Sequence, residues 1–179
     1  YDFEILHRVE KGGNLALRIP GFSKTWQIDL NGRKLSQTDV TPKKGYVYLS
    51  VSDGDTVRLT LDGTPRFQYA SSKVPELTGK TAVCRGPLVY CFDGVDNQDD
   101  ILSLSLRKGG TLNISDGQSA LPEGTVTITA DALRTQTTDD ADLYTDKAPF
   151  TNPCQAVAVP YYTWGNRGEN QMRVWMDYQ

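Results

Sequence analysis

The sequence predicts an all-β fold built of antiparallel strands, most simply a sandwich or jelly roll. Three observations predict it. Apolar residues recur with a period of two, the signature of half-buried strands. The segments between them are rich in turn chemistry: "LNG", "KKG", "SDGD", "LDGTP", "DGVDN" and "KGG", where Gly and Asn supply the φ values that tight turns need. No stretch carries the 3.6-residue periodicity of a helix three turns long.

The strands follow in order. In "LALRIP", Leu15, Leu17 and Ile19 share one face, with Ala16 and Arg18 opposite. "TWQIDLNG" puts Trp26, Ile28 and Leu30 on one side and ends in the turn signal Asn31-Gly32. "YVYLSV" aligns Val47, Leu49 and Val51, and "TVRLTL" aligns Val57, Leu59 and Leu61. "SLSL" and "TVTITA" alternate in the same way. Near residue 95 the texture changes. Residues 96–153 are rich in Asp, Thr, Ser and Gly, and "RTQTTDDADLYTDKAP" reads as a long loop. Strand signals return in "QAVAVPYYTW" and "QMRVWMDY". The expected organisation is a main sandwich formed by 1–95 with 154–179, closed by a C-terminal hairpin. A smaller β-rich insertion would occupy 96–153.

At 179 residues, with 38% hydrophobic and 23% charged side chains, the chain has the balance of a globular protein. The formal net charge of −3 and the absence of a basic stripe argue against a nucleic-acid partner. No apolar run reaches membrane-spanning length, so no membrane partner is expected. The opening "YDFEILHRVEKGG" has neither an initiator Met nor a leader. It reads as a piece of a longer protein. Cys84, Cys91 and Cys154 form an odd set without metal-ligand spacing. Cys84 and Cys91 fall seven apart in what reads as one strand, on opposite faces, so all three are expected as buried thiols.

Candidate chemistry is sparse. His7 is the single histidine and lies on an expected outer strand, with no nucleophile motif to accompany it. Acidic clusters occur at Asp93, Asp96, Asp99 and Asp100, and at Asp139, Asp140 and Asp142. Their loop context predicts solvated turns, since a general acid needs burial to raise its pKa. A calcium site in "DGVDNQDD" is the alternative, although its spacing fails the EF-hand pattern. Among the aromatics, Trp26 alternates inward. Trp175 falls with Arg173 and Asp177 on the polar face of "QMRVWMDY", and Tyr161 is expected inward with Tyr162 and Trp164 opposite. Rings on a polar face serve either as a sugar platform or as a contact with another domain.

Several segments, in this order, resemble a known family: "LALRIPGF" with "LNG", "KKGYVYLSVSDGDTVRLTL", "TAVCRGPLVYCFDGVDN", and "PYYTWGNRGENQMRVWM". They resemble the C-terminal β-sandwich region of bacterial glycoside hydrolases of family 127, whose characterised members are β-L-arabinofuranosidases. "RGPLVYC" and "PYYTWGNRG" are the most specific elements. The resemblance implies that catalysis resides in an upstream (α/α)6 barrel with a zinc-bound cysteine nucleophile and an acid/base glutamate. None of those motifs can be placed on this sequence, so no cofactor is expected here and zinc only in the missing barrel. It further implies a non-catalytic accessory module whose partner is its own barrel. Gly165 and Gly168 would permit a tight turn, with Asn166 and Arg167 bonding nearby backbone groups. Arg85 and Pro87 would break a strand edge and present a guanidinium. The two motifs would form a corner, and Arg85, Tyr162, Trp164, Asn166, Arg167, Arg173 and Trp175 are the candidate contacts. The alternative is a carbohydrate-binding module using the same rings. A homo-oligomer is a further possible partner arrangement, and an immunoglobulin-type adhesion domain is the reading unrelated to sugars.

Overall fold

The computed structural model describes residues 2–36, 38–98, 100–116, 121–136 and 143–179. The chain divides into two compact units, Tyr1–Thr64 and Pro65–Gln179. Both are built from antiparallel strands, as the alternation predicts. Among the described residues the only helices are one α-turn and two short 3-10 turns.

The first unit contains β1 (Phe3–Arg8), β2 (Gly13–Arg18), β3 (Trp26–Leu30), β4 (Arg33–Lys34), β5 (Tyr46–Val51) and β6 (Thr56–Leu61). One sheet has the order β1-β6-β3-β4, and β2 pairs with β5 in a second. Period two decides what meets between them. Val47, Leu49 and Val51 from β5 and Val57, Leu59 and Leu61 from β6 bury in one core with Ile28. Leu15, Leu17, Ile19 and Trp26 pack against its margin. Each fully buried aliphatic side chain contributes about 1.5–3 kcal/mol. The turns take the expected form. Asn31 (φ 52°) and Gly32 (φ 80°) make the two-residue β3–β4 hairpin, where both central residues need positive φ.

The second unit contains β7 (Pro65–Tyr69), β8 (Lys80–Arg85), β9 (Leu88–Asp93), the one-turn helix α1 (Gly94–Asn97), β10 (Leu104–Leu106), β11 (Leu112–Asp116), β12 (Val126–Gln136), β13 (Phe150–Pro160), β14 (Met172–Arg173) and β15 (Met176–Asp177). They form one sheet whose main path is β10-β12-β13-β9-β8-β15. The sheet curls until its ends meet. Leu106 and Tyr178 form a parallel bridge, Gln179 N–H donates to the Leu106 carbonyl at 3.1 Å, and Lys108 N–H donates to the Gln179 carbonyl at 2.7 Å. The sandwich expectation therefore describes the first unit, whereas the second rolls round its own core. That core alternates large and small. Tyr90, Phe92, Leu104, Leu106 and Ile128 are fully enclosed beside Ala130, Ala132, Ala156 and Ala158. Phe92 lies directly opposite Ala158 in the register, so the small residue leaves room for the ring.

Two expectations are corrected here, on the cysteines and on the C-terminal hairpin. The compact units themselves divide at Thr64/Pro65. Residues 96–153 supply β10, β11, β12 and the first part of β13, which belong to the same sheet as β9. The polar residues of this stretch are in part buried there, Ser105, Thr125 and Thr127 among them. Cys84 and Cys91 do not share a strand. Gly86, at φ 55°, begins the two-residue turn between the paired Arg85 and Leu88, so the thiols stand on neighbouring strands. All three cysteines are free, and Cys154 is half-buried. The C-terminal segments do not pair with each other as a hairpin. β14 adds to β9 and β15 to β8.

Candidate docking corner

β9 ends at Asp93, whose carboxylate caps α1 by accepting from the Asp96 N–H at 3.3 Å. Short polar side chains at this position satisfy donors that a helix start leaves open. The turn closes at Gln98, which adopts the left-handed conformation (φ 65°). Asn97 is buried and its side chain behaves as one more strand residue. Its amide donates to the Val157 carbonyl at 2.9 Å and to the Asp93 carbonyl at 2.7 Å, while its oxygen accepts from the Val157 N–H at 2.9 Å. The outer backbone groups of β13 at Val157 are thereby paired, as burial demands.

At the other side of the corner, Pro160 ends β13 and Tyr161–Thr163 forms a 3-10 turn. Thr163 is buried and donates its hydroxyl to the Pro160 carbonyl at 2.7 Å. Gly165 (φ 82°) and Gly168 (φ 106°) then fold the chain back. Arg167 crosses to α1. Its Nη1 and Nη2 grip both oxygens of Asp96 at 3.0 and 2.5 Å, and Nη2 reaches Asp93 Oδ2 at 2.8 Å. The three side chains are only 7%, 3% and 2% exposed. Gly94 N–H adds donations to the Gln171 carbonyl and to Asn170 Oδ1. Burial pushes the Asp93 carboxyl above the ordinary aspartate range, with the Arg167 guanidinium opposing the rise. Arg167 is itself held above its ordinary value, chiefly by its hydrogen bonds to Asp96.

The clamp leaves rings outside. Tyr161, Tyr162 and Trp164 are 49%, 61% and 40% exposed. Tyr161 and Trp164 stack with centroids 6.5 Å apart and planes inclined by 21°. The expected inward Tyr161 is thus corrected, because Pro160 and the 3-10 turn end the period of two before it. Of the other candidates, Arg85 does not present its guanidinium. It is buried at the end of β8 and hydrogen-bonds the enclosed Tyr90 phenol. Asn166 is exposed, and its backbone N–H donates to the Thr163 carbonyl at 3.4 Å. Arg167 bonds carboxylates rather than backbone groups. Trp175 is half-buried in the bend between β14 and β15, and Arg173 pairs with Asp177 at 3.3 Å. The corner therefore brings together Tyr162, Trp164, Asn166 and Arg167.

Sequence reasoning missed the residues that hold it. Asp93 and Asp96 are not a solvated turn, and Asn97 was not singled out. The available signal was the capping spacing of "DGVD", directly after an apolar strand. Asp99, Asp139, Asp140 and Asp142 lie outside the described residues. His7 is exposed on the edge strand β1. The thiols are poor nucleophiles where they stand. Burial pushes Cys91 up to about 12, with the Asp93 charge adding to it, and burial also raises Cys84 and Cys154. Among the described residues no three His, Cys, Asp or Glu side chains converge on a common point.

Residues 65–177 match the glycoside hydrolase family 127 C-terminal domain. This chain belongs to that family. The match begins where the second unit begins. The non-reducing end β-L-arabinofuranosidase of Bifidobacterium longum subsp. longum is 38% identical over 166 residues, covering 88% of this chain and 25% of that protein. The crystal structure of a GH127 β-L-arabinofuranosidase from Geobacillus stearothermophilus T6 superposes with a TM-score of 0.89 at 34% identity, over 99% of this chain and 29% of that one. A second GH127 β-arabinofuranosidase structure gives 0.84 at 26% identity, over 99% and 30%. The chain thus spans between a quarter and a third of the length of these relatives.

Proposed function

We propose that this chain is a non-catalytic accessory module of a family 127 glycoside hydrolase acting on β-L-arabinofuranosides. In this reading the zinc, the nucleophile and the acid/base group belong to an upstream (α/α)6 barrel, and the module packs on that barrel through the Tyr161–Trp164 corner. The observation that carries the reading is the match of 65–177 to the family's C-terminal domain, in relatives of which this chain spans only a fraction. The corner supplies a suitable surface. Trp and Tyr anchors on a rigid backbone are the usual centre of a protein contact, and the Arg167 clamp fixes that backbone before any partner arrives.

A carbohydrate-binding role for the same rings is the second reading, favoured by their exposure. The near-parallel Tyr161–Trp164 pair weighs toward docking. The two rings make one apolar surface, whereas an oligosaccharide uses platforms spaced about one sugar apart. The test is an assay of the purified 179-residue chain on an aryl β-L-arabinofuranoside, with calorimetry against arabinofuranosyl oligosaccharides. No turnover and no binding at millimolar sugar are expected. Turnover at enzyme-like rates would overturn the accessory reading, and saturable binding lost in Trp164→Ala would replace docking by sugar recognition.

A further inference from the structure

The outer face of the β2–β5 pair carries a binding surface separate from the docking corner. Period two sends Val47, Leu49 and Val51 of β5 into the core, so Tyr46, Tyr48 and Ser50 stand on the solvent side. The two tyrosine rings lie 6.4 Å apart, with planes inclined by 37°. Tyr48 is 57% exposed. Register explains why: it faces Ala16 on β2, whose methyl group is too short to cover the ring. At the far end of the strip Asn14 faces Ser50, whose hydroxyl donates to Asn14 Oδ1 at 3.4 Å.

The near end is cationic. Lys44 (φ 51°) and Gly45 (φ 80°) make the two-residue turn that leads into β5, and Lys43 pairs with Tyr46 across it. Arg18 pairs with Tyr46 from β2, its guanidinium 6.0 Å from the ring centroid. Directly opposed residues share a face of a sheet, so the Tyr46 ring stands between two cations. The chain has a net charge of −3, yet β2, the turn and β5 contain no Asp or Glu. Among the described residues neither cation pairs with a carboxylate.

Two rings about one sugar apart suit the flat C–H faces of pyranose residues. Cations beside them suit an anion carried on the same chain, and a guanidinium matches a carboxylate in shape as well as charge. We propose that this strip binds an acidic glycan, its pyranose residues stacked on Tyr46 and Tyr48 and a uronate carboxylate held by Arg18 and Lys43. Asn14 and Ser50 then meet hydroxyl groups further along the chain. From Tyr46 to Ser50 the strand runs about 14 Å, room for a short oligosaccharide. A nucleic acid also offers stacking faces and anions, but it needs cations along its whole backbone, and here they stand at one end. A neutral arabinofuranosyl oligosaccharide has no carboxylate for those cations and is not expected to hold there.

The test is calorimetry of the 179-residue chain with trigalacturonate in low salt, beside its methyl ester and a thymidylate trinucleotide. The acid should bind with a Kd of about 1 mM or tighter, and the ester and the trinucleotide at least about tenfold more weakly. Tyr48→Ala and Arg18→Gln should each weaken the acid at least about tenfold, whereas Tyr48→Phe keeps the ring and should keep the binding. Circular dichroism checks that each variant is folded. No saturable binding of the acid, or an ester or trinucleotide that binds as tightly, would overturn the proposal. So would binding lost in Trp164→Ala but not in Tyr48→Ala, which would move the sugar to the corner.

Discussion

The two units solve the same problem, an antiparallel fold of modest size, in different ways. The first buries aliphatic side chains between two sheets and keeps its carboxylates outside, where Asp39 and Asp55 accept hydrogen bonds within turns. The second encloses aromatic rings in a curled sheet and buries ions as well, with Asp93, Asp96 and Arg167 almost wholly out of water. Removing charge from water costs several kcal/mol per ion, and pairing seldom returns more than that. The buried triad therefore contributes shape rather than net stability: it fixes the loop that carries Tyr161 and Trp164. The first unit has no comparable buried ion pair among the described residues, and its turns are held by exposed groups.

The sharpest way to break this contrast is to remove the cation. Arg167→Ala leaves two carboxylates in a site built for three charges. We expect a loss of about 3–5 kcal/mol from the second unit, the usual cost of stranding a buried charge. Urea unfolding at neutral pH measures it. The deficit should shrink in acid, where protonation neutralises the stranded carboxylates. Arg58→Ala in the first unit is the matched control. Its partner Glu4 is more than half exposed at 3.9 Å, and surface pairs of this kind contribute about 0–1 kcal/mol. Equal losses at the two sites would remove the distinction between the units.

A middle-sized effect is expected at Asn97. Asn97→Ala strands the Val157 N–H and carbonyl on the outer side of β13 and leaves the Asp93 carbonyl with one donor fewer. A buried backbone group left unpaired costs about 1–3 kcal/mol. The expected loss is about 2–3 kcal/mol, with the Val157 amide exchanging faster with solvent deuterium than the neighbouring amides of β13. Unchanged protection at Val157 would show that Asn97 does not hold that edge.

These residues also mark what the sequence could and could not tell. Alternation made β2, β3, β5 and β6 legible, because each has one wet and one dry face and its side chains record which is which. The Asn31-Gly32 hairpin was legible because its φ values exclude most residues. The Arg85–Leu88 hairpin was not, since apolar residues flank it on both sides and the run reads as one buried strand. Arg167 was visible as a candidate, but its partners stand 71 and 74 positions away. Which acidic residue meets which guanidinium depends on the order in which strands lie, and periodicity does not encode that order. The border at Thr64/Pro65 was hidden for a related reason. The polar stretch after residue 95 contributes strands to a sheet begun before it and buries Ser105, Thr125 and Thr127, so its composition does not mark a border.

The smallest expected effect also separates two carboxylates, one in each unit, by sign. Burial raises the Asp93 carboxyl above its unfolded value, so between the two values the native state holds a proton that the unfolded chain has released. The stability linked to that proton is fully present below about pH 4 and is lost as pH rises through the folded pKa. Asp93→Asn imitates the protonated form and can keep the cap on Asp96. It should leave neutral-pH stability within about 1 kcal/mol of the parent chain or raise it, in contrast to Arg167→Ala. The difference should vanish in acid. Asp55 runs the other way. The Ser52 N–H and then the Asn31 amide lower its pKa, so its stability is present above about pH 4 and lost as pH falls through the folded value. Asp55→Asn should therefore weaken the chain at neutral pH, with the deficit closing in acid. Asp131 in the second unit is also lowered, chiefly by the Thr111 N–H, so the contrast has to be read from each variant against the parent across a urea series from about pH 3 to 8. A neutral-pH loss at Asp93→Asn as large as that at Arg167→Ala would mean that the second carboxylate stabilises the corner, and that the buried triad is not a cost the second unit bears for a fixed surface.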